Sequence, residues 1–382
     1  MKGLLRKISS KRINKLARFS RKVYFALFDL AGEGIFAILR LLKIVAPISS
    51  FKKDDIRNIL IVRLDRLGDL LLSAPAIRAV REGFPKAQIH LLVKEYAKDL
   101  VIGSPNIDKL LIYEKDKVGH NYDLAITLHN ALKLNYIVFR SGARYRLGYT
   151  GRGGGFFLTH KITDDRDIRV RHEVESNLEI VGIVGCVTKN KDTEVSITEE
   201  GEKFAERFFQ ENKINPADIV IMVHPGARQE YVRWAKEGFA AVADGLIKQK
   251  NVKIILSVSQ HERQLAEEIL SMMEEKPLLA LGLELTQLVS LIKRCNLFIG
   301  NASGPVHIAS ALKIPVVAIF GVIHPLDGYP EWGPWGVGHI VVSKNLSCPD
   351  CHPSDCKSFD CMKLISASEV LAAAFKQLKI KP

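Results

Sequence analysis

The chain is most informative first in what it lacks. No uncharged apolar run among its 382 residues approaches the roughly 18–20 needed to cross a bilayer. The most apolar early stretch, 23-VYFALFDLAGEGIFAILRLLKIVAP-47, is interrupted by Asp29, Glu33, Arg40 and Lys43. No short apolar core with a small-residue cleavage site is evident near the start, so a secretory leader is not expected. No Gly-x-Gly-x-x-Gly opens a strand–turn–helix unit, which argues against a nicotinamide-dependent dehydrogenase. Low-complexity blocks and short repeats are absent, which excludes solenoids. Acid is missing from residues 1–22, which hold nine Lys/Arg and account for most of the net charge of +13. The excess is thus a basic arm, not a nucleic-acid face on the folded body. Cysteine is scarce outside one cluster. Cys186 and Cys295 lie in apolar surroundings and are expected in the core. The other four crowd into 348-CPDCHPSDCKSFDC-361. Their spacing is not a standard zinc pattern; it reads as a reduced, packed loop, as occasional disulfides, or as structural zinc at Cys348, Cys351, Cys356 and Cys361.

What is present points to two domains, since the chain is too long for one core. Short β-branched runs alternate with helix-length segments in two series. In the first, 58–64, 89–93 and 123–128 are expected strands, and 73–83, 95–101 and 130–139 helices. In the second, 219–224, 253–258, 297–299 and 315–320 are expected strands, with helices near 198–211, 236–249, 261–274, 285–294 and 305–312. Strands apolar throughout and separated by helices imply parallel sheets covered on both faces. The expected class is α/β, with two Rossmann-like domains, 54–190 and 191–345, joined near the polar 188-TKNKDTE-194. Residues 1–50 form a basic, amphipathic segment that suits an anionic membrane surface or packs on the protein itself. Residues 346–382 hold the cysteine cluster and a helix over 366–379, expected to cross back to the first domain. The loop 151-GRGGG-155 is expected to be flexible.

In open α/β sheets, ligands sit beyond the carboxyl ends of the strands. One such end is 63-RLDRLGDLLLSAPAIRAV-80, where Gly68 permits a tight turn. Asp69 is either a helix-start residue or a carboxylate at a cleft mouth able to accept a proton. Another is 299-IGNASGPVHIASAL-312. Gly300, Ala302, Ser303 and Gly304 leave the backbone bare, and Pro305 suits a first helical turn. The free N–H groups there form an anion site fit for a nucleotide phosphate. Asn301 ends that strand, Ser303 adds a hydroxyl, and His307 lies one turn on. The alternative is a tightly packed loop with a structural histidine. Arg228 and Arg233, in 224-HPGARQEYVRWAKEGF-239, either face a diphosphate or are solvated. Glu262 either holds ribose hydroxyls or complements a helix dipole. Arg144 and Arg146, in 140-RSGARYRLGY-149, either bind acceptor phosphates or line a surface loop.

Together these stretches, with 285-LTQLVSLIKRCNLFIGNASGPVHIASALKIPVVAIFG-321 and the cysteine tail, resemble glycosyltransferase family 9, the heptosyltransferases of lipopolysaccharide core assembly. The likeness runs from about 57 to about 375. It implies a GT-B architecture: two Rossmann-like domains facing a cleft, acceptor mainly on the first and nucleotide-sugar on the second. It implies inverting transfer, with no cofactor and no obligatory metal, from a donor such as ADP-heptose to a lipid-linked core at the inner face of the inner membrane. Asp69 matches the family's general base, Glu262 its ribose-holding acid, and Ser303, Gly304 and His307 its donor contacts. Ala302 stands where the family commonly has Asp, and Val232 where it often has Lys, which leaves Arg233 and Arg228 to meet the diphosphate.

Overall fold

The structure is a computed structural model. It describes residues 2–45, 48, 50–165, 169–321, 328–344, 346, 348, 356 and 358–380, with side chains from Ser20 onward apart from position 21. Six strands build a first sheet: β1 (Asn58–Val62), β2 (Gln88–Val93), β3 (Lys109–Ile112), β4 (Leu124–Thr127), β5 (Tyr145–Thr150) and β6 (His160–Thr163). Six build a second: β7 (Ile219–His224), β8 (Val252–Val258), β9 (Leu278–Leu281), β10 (Leu297–Asn301), β11 (Val316–Phe320) and β12 (His339–Ser343). Their orders are β3-β2-β1-β4-β5-β6 and β12-β11-β10-β7-β8-β9. Every pairing is parallel, as in β1 with β4 through Ile59 opposite Leu124 and β7 with β10 through Ile221 opposite Leu297.

The central strands are apolar because helices cover both their faces. β10 and β11 are buried at every position. Burying each such Leu, Ile or Phe contributes about 1.5–3 kcal/mol, so a cost-free exchange for polar residues is excluded along these strands. In each sheet the order reverses beside the first strand, between β1 and β4 and between β7 and β10. Loops leaving such neighbours diverge to opposite faces and open a crevice at the carboxyl ends.

The expected helices form, with Glu199–Glu211, Lys236–Ile247 and Gly304–Ala311 among them. Segment 95–101 is instead a 3-10 turn, Glu95–Leu100. The edge strands β3, β6, β9 and β12 were not expected, because each is only four or five residues long and partly exposed. β5 was hidden by Arg146, whose charge resembles loop surface; the strand is buried from Tyr145 to Tyr149. Cys186 and Cys295 are buried as expected, and burial pushes both thiols up to about 12.

The C-terminal helix Ala367–Leu378 corrects one expectation. It does not cross to the first sheet; Val370, Ala373 and Ala374 join the second core, and the helix lies against Lys236–Ile247 and β10–β12. Its apolar stripe matches the nearer sheet, and Ser366 caps it, accepting from Glu369 N at 3.3 Å. The glycine loop is also corrected: Gly153, Gly154 and Gly155 are buried, and Gly155 N donates to Asp29 Oδ1 at 3.0 Å.

Asp29 belongs to one continuous helix, Lys2–Leu41, 40 residues long, about 60 Å at the usual rise of 1.5 Å per residue. Phe36 is buried against Phe139, Phe156 and Phe157, and Gly32 makes room for Phe156, whose ring would lie 2.1 Å from an added Cβ. Leu27, Leu30, Ile38 and Leu41 stay exposed. No helix among the described residues is long and apolar enough to cross a membrane.

Candidate active site

The first lobe's contribution starts where β1 runs out. Arg63 follows it and is 1% exposed. Its guanidinium meets Glu173 Oε1 at 2.8 Å, Asp65 Oδ2 at 3.3 Å and Asp69 Oδ1 at 3.5 Å. It also donates to Asn177 Oδ1 at 3.2 Å and to the Leu128 carbonyl. A buried arginine needs this company, because an unpaired charge in the interior costs several kcal/mol or more. Asp65 in turn holds His129 Nδ1 at 2.9 Å. Burial would raise the Asp65 pKa, but Arg63 and His129 outweigh it and hold the carboxyl below its ordinary value.

Asp69 sits in the first turn of the short helix Leu67–Leu71, where Oδ2 accepts from Arg66 N at 3.0 Å. The helix-start reading of it holds, since Oδ2 closes the turn, while Oδ1 lies 3.5 Å from the Arg63 guanidinium. Its pKa is raised above 3.8, by burial first and then by the Asp65 and Glu173 charges, with Arg63 opposing. That is the direction in which a carboxylate gains proton affinity and so serves as a base.

On the second lobe, β10 delivers the helix Gly304–Ala311 with Ser303 at its N-cap. Ser303 makes no cap bond, and its Oγ is buried without a partner. An unbonded buried hydroxyl beside the Gly304 N–H at a helix start suits an anionic ligand. His307 is 8% exposed and its Nδ1 is likewise without a partner. Burial, then the nearby His172, pushes its pKa down to about 3, so it is a neutral hydrogen-bonding ring at physiological pH. Pro305 occupies the first turn as expected.

The two lobes meet at this point. A Cβ on Gly68 would lie 2.4 Å from His307 Cδ2, and one on Gly304 would lie 3.3 Å from Leu67 Cβ. The turn bearing Asp69 therefore rests on the turn bearing Ser303 and His307, and only a residue without a side chain permits that approach.

Arg228 and Arg233 lie on the loop after β7 and are exposed. Arg233 Nε donates to the Ala227 carbonyl at 2.7 Å, which holds its remaining N–H groups outward. Arg228 is close enough to lower the hydroxyl pKa of Tyr96 on the first lobe, against the larger upward effects of burial, Asp69 and Asp65. Glu262 fills the space left by Gly226, 2.4 Å from where a Cβ would be. Its Oε2 bonds Ser259 Oγ at 2.7 Å and Ser259 N at 3.2 Å.

Asn301 ends β10 as expected. Its Oδ1 accepts from Trp234 N at 3.0 Å and its Nδ2 donates to the Pro225 carbonyl at 2.7 Å. Its amide thus holds the arginine loop in place. Arg146 is buried, not on a surface loop; it donates to the carbonyls of Phe157 at 2.6 Å and Ala143 at 2.7 Å. Arg144 is exposed, 3.6 Å from Asp55.

Sequence reasoning missed Arg63, Asp65, His129 and Glu173. The available signal was two charges, Arg63 and Asp65, directly after an apolar strand. It also passed over 165-DRD-167, an Asp-x-Asp. Asp165 pairs with Arg171 at 2.6 Å, and Asp167 lies outside the described residues. Cys351 lies outside them as well; Cys348, Cys356 and Cys361 are described, and no cluster of three metal ligands occurs among the described residues.

Residues 115–361 match the family Glycosyltransferase family 9 (heptosyltransferase). Lipopolysaccharide heptosyltransferase 3 of Escherichia coli K12 is 28% identical over 336 residues, covering 81% of this chain and 95% of the relative. The crystal structure of a family 9 glycosyl transferase from Veillonella parvula aligns with a TM-score of 0.73 at 24% identity, over 87% of this chain and 99% of that one. ADP-heptose lipopolysaccharide heptosyltransferase II of E. coli aligns at 0.69 and 20% identity, over 84% and 98%. These likenesses identify the two-sheet architecture as GT-B.

Proposed function

This chain belongs to glycosyltransferase family 9, the heptosyltransferases, and from that premise we propose that it moves a heptose from ADP-heptose to a lipopolysaccharide inner core, inverting the anomeric centre without a metal ion. One observation carries the reading: Asp69 on one lobe follows Gly68, which packs on His307 of the other, where Ser303 Oγ and His307 Nδ1 are buried without a hydrogen-bond partner among the described residues. In the proposed step an acceptor hydroxyl oxygen attacks the anomeric carbon. Its proton passes to Asp69 Oδ1, the bond from carbon to the β-phosphate oxygen breaks, and the nucleoside diphosphate departs from the opposite face. The negative charge that develops is met by the Gly304 N–H and the Ser303 hydroxyl at the helix N-terminus and by Arg233 and Arg228, a form of stabilisation often worth several kcal/mol. Glu262 holds the ribose. His307, being neutral, donates or accepts one hydrogen bond without adding charge.

In this reading 54–190 is the acceptor domain and 191–345 the donor domain. The basic helix Lys2–Leu41 lies on the anionic inner face of the inner membrane with Leu27, Leu30, Ile38 and Leu41 toward the lipid. Arg144 is the exposed candidate for acceptor phosphates.

The test is thermal unfolding with ADP-, UDP-, GDP- and CMP-sugars in the presence of EDTA. A ligand at 100 times its dissociation constant stabilises by about 2.7 kcal/mol, so the ADP-sugar should raise the midpoint and EDTA should not remove the effect. Stabilisation by a UDP-sugar alone would sink the donor assignment, which Ala302 in place of the family's Asp leaves most exposed. A second expectation concerns the contact between lobes. Gly68→Ala puts a methyl against a buried ring and should raise the donor KM and lower kcat by about tenfold or more each, since small misplacements cost up to about a hundredfold. Steady-state kinetics on a variant with a parental unfolding midpoint checks this; unchanged constants would show that the lobes do not work in this contact.

A further inference from the structure

Arg40 and Arg146 are two arginines without an acid. Arg40 closes the last turn of the helix Lys2–Leu41. Its guanidinium lies 5.7 Å from the Phe36 ring centroid, and that of Arg146 lies 5.5 Å from the Phe139 ring. Phe36 and Phe139 are edge-to-face at 5.3 Å, so the two cations flank one aromatic cluster. Arg40 Nε and Nη2 are buried and make no hydrogen bond among the described residues, and the same is true of Arg146 Nη2. Nε and Nη2 together form the side-on edge of a guanidinium, the edge that grips two oxygens of a phosphate at once.

Arg146 is 5% exposed. Its other donors are occupied by the Ala143 and Phe157 carbonyls, so the guanidinium is fixed in place with one N–H side left over. Burial, and then the charge of Arg40, lowers the Arg146 pKa to about 10, and no carboxylate offsets this. The acids nearest in the helix sequence are engaged elsewhere, Asp29 with Gly155 N and Glu33 with Lys161. Two like charges, partly stripped of water and with donors unspent, leave room in the energetics for one anion. The surroundings indicate its source. Ile35, Ile38, Leu41 and Leu42 are 58%, 57%, 82% and 63% exposed at the same end of the helix, an apolar surface suited to the acyl side of a membrane interface.

We propose that Arg40 and Arg146 form a phosphate pocket that holds the headgroup of an anionic phospholipid where the N-terminal helix meets the membrane. The proposal rests on the membrane reading of that helix, and the experiment separates the two. Full-length protein is titrated with phosphatidylglycerol vesicles and with phosphatidylcholine vesicles. Arg40→Lys keeps the charge but loses the two-pronged edge. It should weaken phosphatidylglycerol binding by about tenfold, as should Arg146→Lys, whereas charge counting expects no change. Thermal unfolding and the glycosyl-transfer rate in detergent should stay at parental values in Arg40→Lys. Wild-type vesicle affinity in Arg40→Lys, together with equal stabilisation of the two proteins by inorganic phosphate, overturns the pocket and leaves the membrane reading standing. No wild-type binding to phosphatidylglycerol overturns both. If inorganic phosphate alone stabilises the wild type but not Arg40→Lys, with vesicle binding equal in the two, the pocket takes a free anion and the lipid assignment falls.

Discussion

Asp69→Asn should lower kcat by about a hundredfold to ten-thousandfold, the usual contribution of a positioned general base. The donor's effect on thermal unfolding should remain. The substitution keeps the shape of the side chain and its bond from Arg66 N, and removes only the capacity to take a proton. The accompanying pH dependence has a definite sign. Asp69 acts ionised, and its pKa is raised by burial and by the Asp65 and Glu173 charges against the pull of Arg63. Activity should therefore rise with pH through a value above the ordinary 3.8, and the variant should lose that acid limb. A variant with parental kcat would remove Asp69 from the mechanism; one that no longer responds to donor would make it a binding residue.

Arg63→Met should cost about 3–5 kcal/mol of folding stability, the typical loss when one member of a buried ion pair is removed. Arg63 is fully enclosed and meets three carboxylates within 3.5 Å. Without it, Glu173, itself 2% exposed, keeps its charge in the interior with the 2.8 Å bond to Arg63 gone. The same loss takes away the counter-charge that restrains the Asp69 pKa, so the acid limb of the rate profile should move upward. Glu173→Gln in the same chain should recover part of the stability, because the stranded charge goes with it. Urea unfolding of the two single variants and the double variant measures the coupling. Additive losses would show that the pair does not act as a unit.

Legibility in the sequence followed burial. Strands covered on both faces, such as β1, β10 and β11, carry unbroken apolar runs and could be read directly. β3, β6, β9 and β12 at the sheet edges could not, because runs of four or five partly buried residues are too short to stand out from a loop. β5 failed for a different reason: a charged residue inside a strand looks like surface until the carbonyls that receive it are seen. In the site, Gly68–Asp69 and Ser303–His307 were readable because turn and helix-start chemistry is local. The Arg63–Glu173 bond spans 110 positions, and no short pattern tells a buried cation which distant acid will meet it. Asn301 was legible as a polar strand end but not as the clasp of the neighbouring loop, since its partners Trp234 and Pro225 arrive from another strand. The C-terminal helix was visible as a helix while its berth was not, for an apolar stripe does not say which of two sheets it will lie on.

The seating of the His307 ring on Gly68 has a mechanical corollary. Two bodies in contact through a rigid ring and bare backbone can approach no further there, so the spot behaves as a fulcrum. Any swing of one lobe against the other must open the gap away from that contact, while the contact itself stays nearly still. Travel of the jaws is then set by one absent methyl group.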